Sequence, residues 1–137
     1  QTAGFWGRRM AHETVIHRVD VELAVGSISP VEPELGLDGI DEVLQVCLAG
    51  DWKDEPLLGL EPERVEVKAG QRSWLVEQRS EWVQVTPGGG EAVALLSGEP
   101  GILDRWLWGR AGDLEVERQG DQAAVRRLRE RLRLATQ

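Results

Sequence analysis

The chain has 137 residues, enough for one ordinary domain or for a short arm plus a smaller domain. With 24 acidic and 16 basic residues its net charge is −8, the wrong sign for wrapping nucleic acid or lying on an anionic membrane. The single cysteine, Cys47, excludes an internal disulfide framework and a Cys-rich zinc site, and no apolar run approaches the ~18 residues that span a bilayer.

The remaining composition is that of a folded protein, 41% apolar and 29% charged, not of a disordered one. All basic residues but Lys53 and Lys68 are arginine. No secretory leader is recognisable, and one cysteine suits a reducing compartment, so a cytoplasmic location is expected. The first residue is Gln1, not Met, and a helix begins almost at once, which leads us to expect a piece of a longer protein.

From Phe5 to Val25 the apolar residues recur nearer 3.6 than 2, which predicts a helix of about five turns ended by Gly26. Ser27 to Gly36 holds two prolines and reads as a linker. Asp38 is expected to cap a second helix over Gly39–Ala49, with Ile40, Val43, Leu44 and Cys47 on its buried face. After a loop from Gly50 to Pro62, apolar residues alternate at Val65 and Val67, then at Trp74 and Val76, then around Trp82, Val83 and Val85, and again over Val93–Leu96. These predict four short strands in hairpin order. Pro100 opens a helix over Gly101–Trp108. Leu114 and Val116 mark a fifth strand, and Asp121 caps a last helix to Leu134 that buries Val125, Leu128 and Leu132. The arginine-rich run from Arg126 to Arg133 reads as a solvated face of that helix. The predicted fold class is α+β: two helices, then ββββαβα with a mainly antiparallel sheet covered on one face. The chain divides into 1–26, the first helix; 27–62, linker and second helix; and 63–137, the α+β portion.

The first helix contains His12-Glu13-Thr14-Val15-Ile16-His17. The two histidines are five apart, about 140° from sharing a face, so one metal cannot take both without unwinding the helix. Glu13 and His17 are four apart and about 40° from alignment. A carboxylate and an imidazole on one stripe suit a divalent metal such as zinc, with Asp20 as a third ligand or as an acceptor for the imidazole N–H. The alternative is a plain charge pair on an exposed helix. Two ligands do not complete a zinc site, so a third must come from outside this chain. Arg8, Arg9 and Arg18 read as ion-pair partners of the acidic surface.

The segment FWGRRMAHETVIHRVDVELAVG (residues 5–26), the helix DGIDEVL and the later RWLWGR together resemble the mycothiol-dependent maleylpyruvate isomerase family. The resemblance covers the C-terminal part of that architecture. It implies that 1–26 is the last helix of a DinB-like bundle otherwise absent, and that 63–137 is the family's C-terminal domain. It further implies that Glu13 and His17 are ligands of a divalent metal, usually taken as zinc, completed by a histidine of the missing bundle. Arg110 is the match to an arginine that reaches the active site, where a guanidinium could clamp a carboxylate; its other reading is an arginine capping the last carbonyls of a helix. By family chemistry the metal activates the thiol of mycothiol, which adds to an electrophilic small-molecule substrate by isomerisation, conjugation or S-transfer. The piece alone is expected to be inactive.

SGEPGILDRWLWGR followed by DLEVERQGDQAAVRRL also resembles the end of sterol-carrier-protein-2-like (SCP2-like) domains. This implies a second reading: a non-catalytic binding or interaction module, holding a lipid or small molecule between sheet and helices, with Leu103, Trp106, Leu107 and Trp108 as core or as pocket wall. A third is a homodimer through the first helix, whose stripe at Trp6, Met10 and Val15 should find cover on the second helix or on another copy.

Overall fold

The computed structural model describes residues Gln1–Gln137. Helix α1 covers Ala3–Ala24; Thr2 opens it by accepting the amide of Phe5 at 3.1 Å. Its inner side, His12, Val15, Ile16 and Val19, is buried on the body. Trp6, Met10 and Val21 on the other side stay exposed. Neither the second helix nor any other part of the chain covers them, and of the expected stripe only Val15 is buried.

Helix α2 spans Pro33–Glu42 and runs on as a π-helical segment, Val43–Leu48. It therefore starts within the expected linker, six residues earlier than the sequence suggested. Pro33 occupies the first turn, where its missing N–H has no acceptor to lose and its fixed φ already suits a helix. Asp38 is not a cap, because its carboxylate turns to α1. Ile40, Val43, Leu44 and Leu48 are buried, whereas Cys47 is only half-buried against the core.

A two-residue strand β1, Gly50–Asp51, precedes β2 (Glu63–Ala69), β3 (Arg72–Gln78), β4 (Trp82–Pro87) and β5 (Ala94–Gly98). Helix α3 (Pro100–Leu107), a 3-10 turn (Asp113–Glu115), β6 (Glu117–Gly120) and α4 (Gln122–Ala135) complete the chain. The sheet order is β1-β4-β3-β2-β5-β6. All pairs are antiparallel except β2–β5, which runs parallel from Val65 opposite Ala94 to Ala69 opposite Gly98. The hairpin order expected for the fourth large strand is thus corrected: after the Gly-rich turn the chain crosses β3 and joins the far side of β2. The fifth strand also shifts. Leu114 lies in the 3-10 turn, almost wholly exposed, and pairing begins only at Glu117.

Alternation puts Val65, Val67, Trp74, Val76, Val83 and Leu96 on one sheet face, all fully buried, while Arg64, Trp82 and Gln84 on the other face are exposed. The helices cover that one face, and a single 23-residue cluster fills the space between. Two glycines let α3 sit close against α2 and the segment just before it. A Cβ at Gly36 would stand 2.7 Å from the amide nitrogen of Gly101, and one at Gly101 would stand 2.8 Å from the carbonyl oxygen of Val31. Asp121 caps α4 by accepting the amides of Ala123 and Ala124.

Candidate functional site

Helix α3 ends at Leu107 with Trp108 as its cap, and Gly109 turns the chain with φ +75°, a conformation that side-chain-bearing residues rarely take. That turn aims Arg110 back at α1. Its Nε and Nη2 donate to the two carboxylate oxygens of Asp20 at 2.9 and 3.1 Å, and its Nη1 donates to the carbonyl of Trp108. The guanidinium holds the Asp20 carboxyl below the usual carboxylate range. Arg110 thus joins the end of α3 to a helix ninety positions earlier in the chain, and Asp20 is committed to it rather than to a metal.

Arg110 also lines the largest cleft, about 610 Å³, between the end of α3 and α4. Trp106, Leu107, Trp108 and Leu132 border it from beneath, all but Trp108 being about 1% exposed, and Thr136 and Gln137 line it as well. Arg126, Arg129, Arg133 and Glu130 make the rim. Arg129 lies 4.3 Å over the Trp106 ring, donates to the Ala111 carbonyl at 3.1 Å and pairs with Asp113. Asp113 accepts the Trp106 indole N–H at 2.9 Å as well. Arg133 pairs with Glu130 at 2.7 Å. Arg126 is exposed and takes part in none of the chain's ion pairs. So the four residues read as core or pocket wall are all core, and Trp106, Leu107 and Trp108 also border the cleft, with Trp108 the most exposed at 7%. The reading of Arg126–Arg133 as a uniformly solvated face is corrected at Arg131. That side chain is buried, donates to the carbonyls of Arg79 and Ser80, and lies 5.3 Å from the Trp52 ring centre.

Glu13 and His17 lie on the outer side of α1, among Trp6, Met10 and Val21. Glu13 accepts a 2.6 Å hydrogen bond from Arg9, and His17 is exposed. His12 points the opposite way, buried, with its Nε2 2.6 Å from Asp38 Oδ2. No group of three His, Cys, Asp or Glu side chains is placed to hold a metal. As the chain stands, the donors do not fit a resident ion.

Beneath α1 lies a polar layer that reading along the sequence did not assemble. Arg8 donates to Asp38 and Asp41; Arg9 donates to both oxygens of Glu42 at 2.8 Å; and the Trp74 indole N–H reaches Asp41 at 2.9 Å. Arg18 pairs with Glu22 instead. Asp104 of α3 is buried nearby with one oxygen unpartnered, and desolvation, with the charges of Glu42 and Asp38, pushes its pKa up to about 8. The signal for this layer was present: three carboxylates in the DGIDE turn, and Arg8, Arg9 and His12 on one side of α1.

No protein-family model matches the chain, and no curated protein matches it. Among solved structures it is similar to one described as "UbiJ-SCP2 Ubiquinone synthesis protein", with a TM-score of 0.50 and 21% identity over 79% of this chain and 96% of that one. The fold is SCP2-like. The mixed sheet of β1–β6 with its helices on one face is the architecture that the late segment had suggested. One part of the SCP2 expectation changes: the space between sheet and helices is packed, and the SCP2-like chain has its largest cleft on the helical side, between α3 and α4. No helix is long and apolar enough to cross a membrane.

Proposed function

We propose that this chain is a non-catalytic binding module of the sterol-carrier-protein-2 type, and that its ligand is a small molecule with an apolar body lying in the α3–α4 cleft. The observation that carries this reading is the cleft itself, about 610 Å³ and within the size range of small-molecule sites, bordered by Trp108 and by the arginine stems of α4, on an SCP2-like fold. Decan-1-ol added to the protein should give a saturable change in indole emission, because Trp108 borders the cleft and Trp106 lies just beneath it. Thr136→Trp, which places a further indole in the lining of the cleft, should weaken that binding about tenfold or more while thermal unfolding stays cooperative. An unsaturable, linear response to decanol would count against the module.

A second reading keeps the isomerase-like chemistry, favoured by one observation: Glu13 and His17 share the open side of α1, while Arg110 lands on the same helix through Asp20. On this reading the chain supplies two metal ligands and a positioning arginine to a mycothiol-dependent site, and another polypeptide segment supplies the third ligand. Titration with zinc chloride should then show weak binding that His17→Ala abolishes and His12→Ala leaves in place. Equal loss in both variants, or none in either, would sink it.

A further inference from the structure

We infer that the outer face of α1 pairs with the same face of a second copy of this chain, the two helices lying parallel and in register. This interface is independent of what the cleft binds. Gly7, Thr14 and Val21 recur every seven residues along α1, and Met10 and His17 recur in the same way three positions later; all five are exposed. His12, Val15, Ile16 and Val19, which fall between them, are buried on the body. Steps that alternate between three and four residues trace the seam along which two helices interlock. Trp6, Met10, Val21 and Val25 bring apolar surface to that face, at 55%, 58%, 66% and 73% exposure. Gly7 lies within the helix, where glycine is disfavoured, and a Cβ there would meet nothing within 4 Å. Packing inside the chain therefore gives no reason for a glycine, whereas a second helix drawn in close does.

The charges beside the seam select the occupant and its direction. Glu13 flanks the seam on one side, and Arg18, five residues on, flanks it on the other. In a parallel, in-register pair, each side chain on the first flank meets the one five positions further along the other helix. Glu13 of each copy then meets Arg18 of the other, and one two-fold axis generates both ion pairs. Trp6 falls by the same rule on Ala11 of the second copy, beside its Gly7, so a large ring faces two small residues. An antiparallel pair would set like flanks together, acid against acid at Glu13 and Asp20, and Arg18 against its own counterpart. Both charged groups are available: each side chain is 42% exposed, Glu13 spends one carboxylate oxygen on Arg9, and Arg18 stands 3.6 Å from Glu22, beyond hydrogen-bond range. The contact spans only about three heptads and holds Thr14 and His17 in its seam, so the expected Kd is on the order of 10 µM.

Sedimentation equilibrium from about 1 to 100 µM should show a monomer–dimer equilibrium. Glu13→Arg alone and Arg18→Glu alone each set like charges across both ion pairs, and each should weaken association about tenfold or more. An equimolar mixture of the two variants should associate within about threefold of the wild type, because every substituted side chain then meets its opposite on the other protein. Neither position belongs to the core, so both variants should fold. Direction is read separately. Met10→Cys in a Cys47→Ala background, oxidised with diamide, should form a covalent dimer about tenfold or more faster than Leu114→Cys in the same background, a position 98% exposed and away from α1. Met10 meets its own counterpart only in the parallel register. A wild type that stays monomeric to 100 µM overturns the proposal. So does a mixture that associates no better than its components, and so does cross-linking at Met10→Cys no faster than at the control.

Discussion

Replacing Arg9 by Met is expected to destabilise the fold by about 3–5 kcal/mol, the loss that follows when one partner of a buried ion pair is removed. Glu42 is 1% exposed, and Arg9 alone bridges both of its oxygens, each at 2.8 Å. Methionine preserves much of the side-chain volume beside Trp108, whose ring centre lies 5.9 Å from the guanidinium, but it leaves the carboxylate with no counter-charge and no water. The unfavourable term is therefore the stranded Glu42, not the lost attraction. Two measurements separate these. Urea unfolding of Arg9→Met should show the midpoint falling with an unchanged slope. In Arg9→Met/Glu42→Leu, where both charges are gone, most of the loss should be recovered. A single variant within 1 kcal/mol of wild type would mean that Glu42 reaches solvent or another partner.

Asp104→Asn is expected to act in the opposite direction, and to do so most strongly at higher pH. The Asp104 pKa is raised from the ordinary 3.8 to about 8, first by burial and then by the neighbouring Glu42 and Asp38 carboxylates. The unfolded chain gives up this proton above about pH 4, whereas the folded chain keeps it until about pH 8. Stability attached to the group is thus complete below the unfolded value and is lost as pH rises towards the folded value, at about 1.4 kcal/mol per pH unit while the two states differ by one proton. Asparagine keeps the shape and removes the titration. The gain should be small at pH 4.5 and several kcal/mol at pH 8, read as a growing separation of the two thermal midpoints. Space cannot explain such a pattern: a Cβ at Gly39 would come within 2.6 Å of this carboxyl, so the site is tight for both residues at every pH. Parallel pH profiles for the two proteins would show that Asp104 ionises in the folded state at neutral pH.

Much of the fold was legible because local chemistry decided it. Val65 and Val67 alternate with charges, Asp121 stands where a helix needs a cap, and Pro100 sits at a helix start; each feature acts within a few residues. The misreadings arose where a local signal has two meanings. Pro33 within the sequence reads as a breaker because proline ends helices, yet at the first turn it begins one. Leu114 looked like a strand residue because it is apolar, but nothing covers it. The parallel seating of β5 beside β2 follows from a crossover past β3, and strand patterning in the sequence does not distinguish it from a hairpin. The site was less legible for the same reason. Arg110 could be singled out, but not its pairing with Asp20 across the chain, nor the separation of Arg131 from the exposed arginines around it.

The order of the strands has one further outcome. The two edges of the sheet are its two shortest strands, β1 with two residues and β6 with four, and β6 consists of the polar run Glu117-Arg118-Gln119 followed by Gly120. Short, charged borders give an incoming strand little to zip onto, which protects against edge-to-edge aggregation. Growth of the sheet from one molecule into the next is thereby blocked at both ends. Self-association, where it occurs, is left to the helical side, and there the outer face of α1, with Trp6, Met10 and Val21 uncovered, is the surface with most to gain from contact.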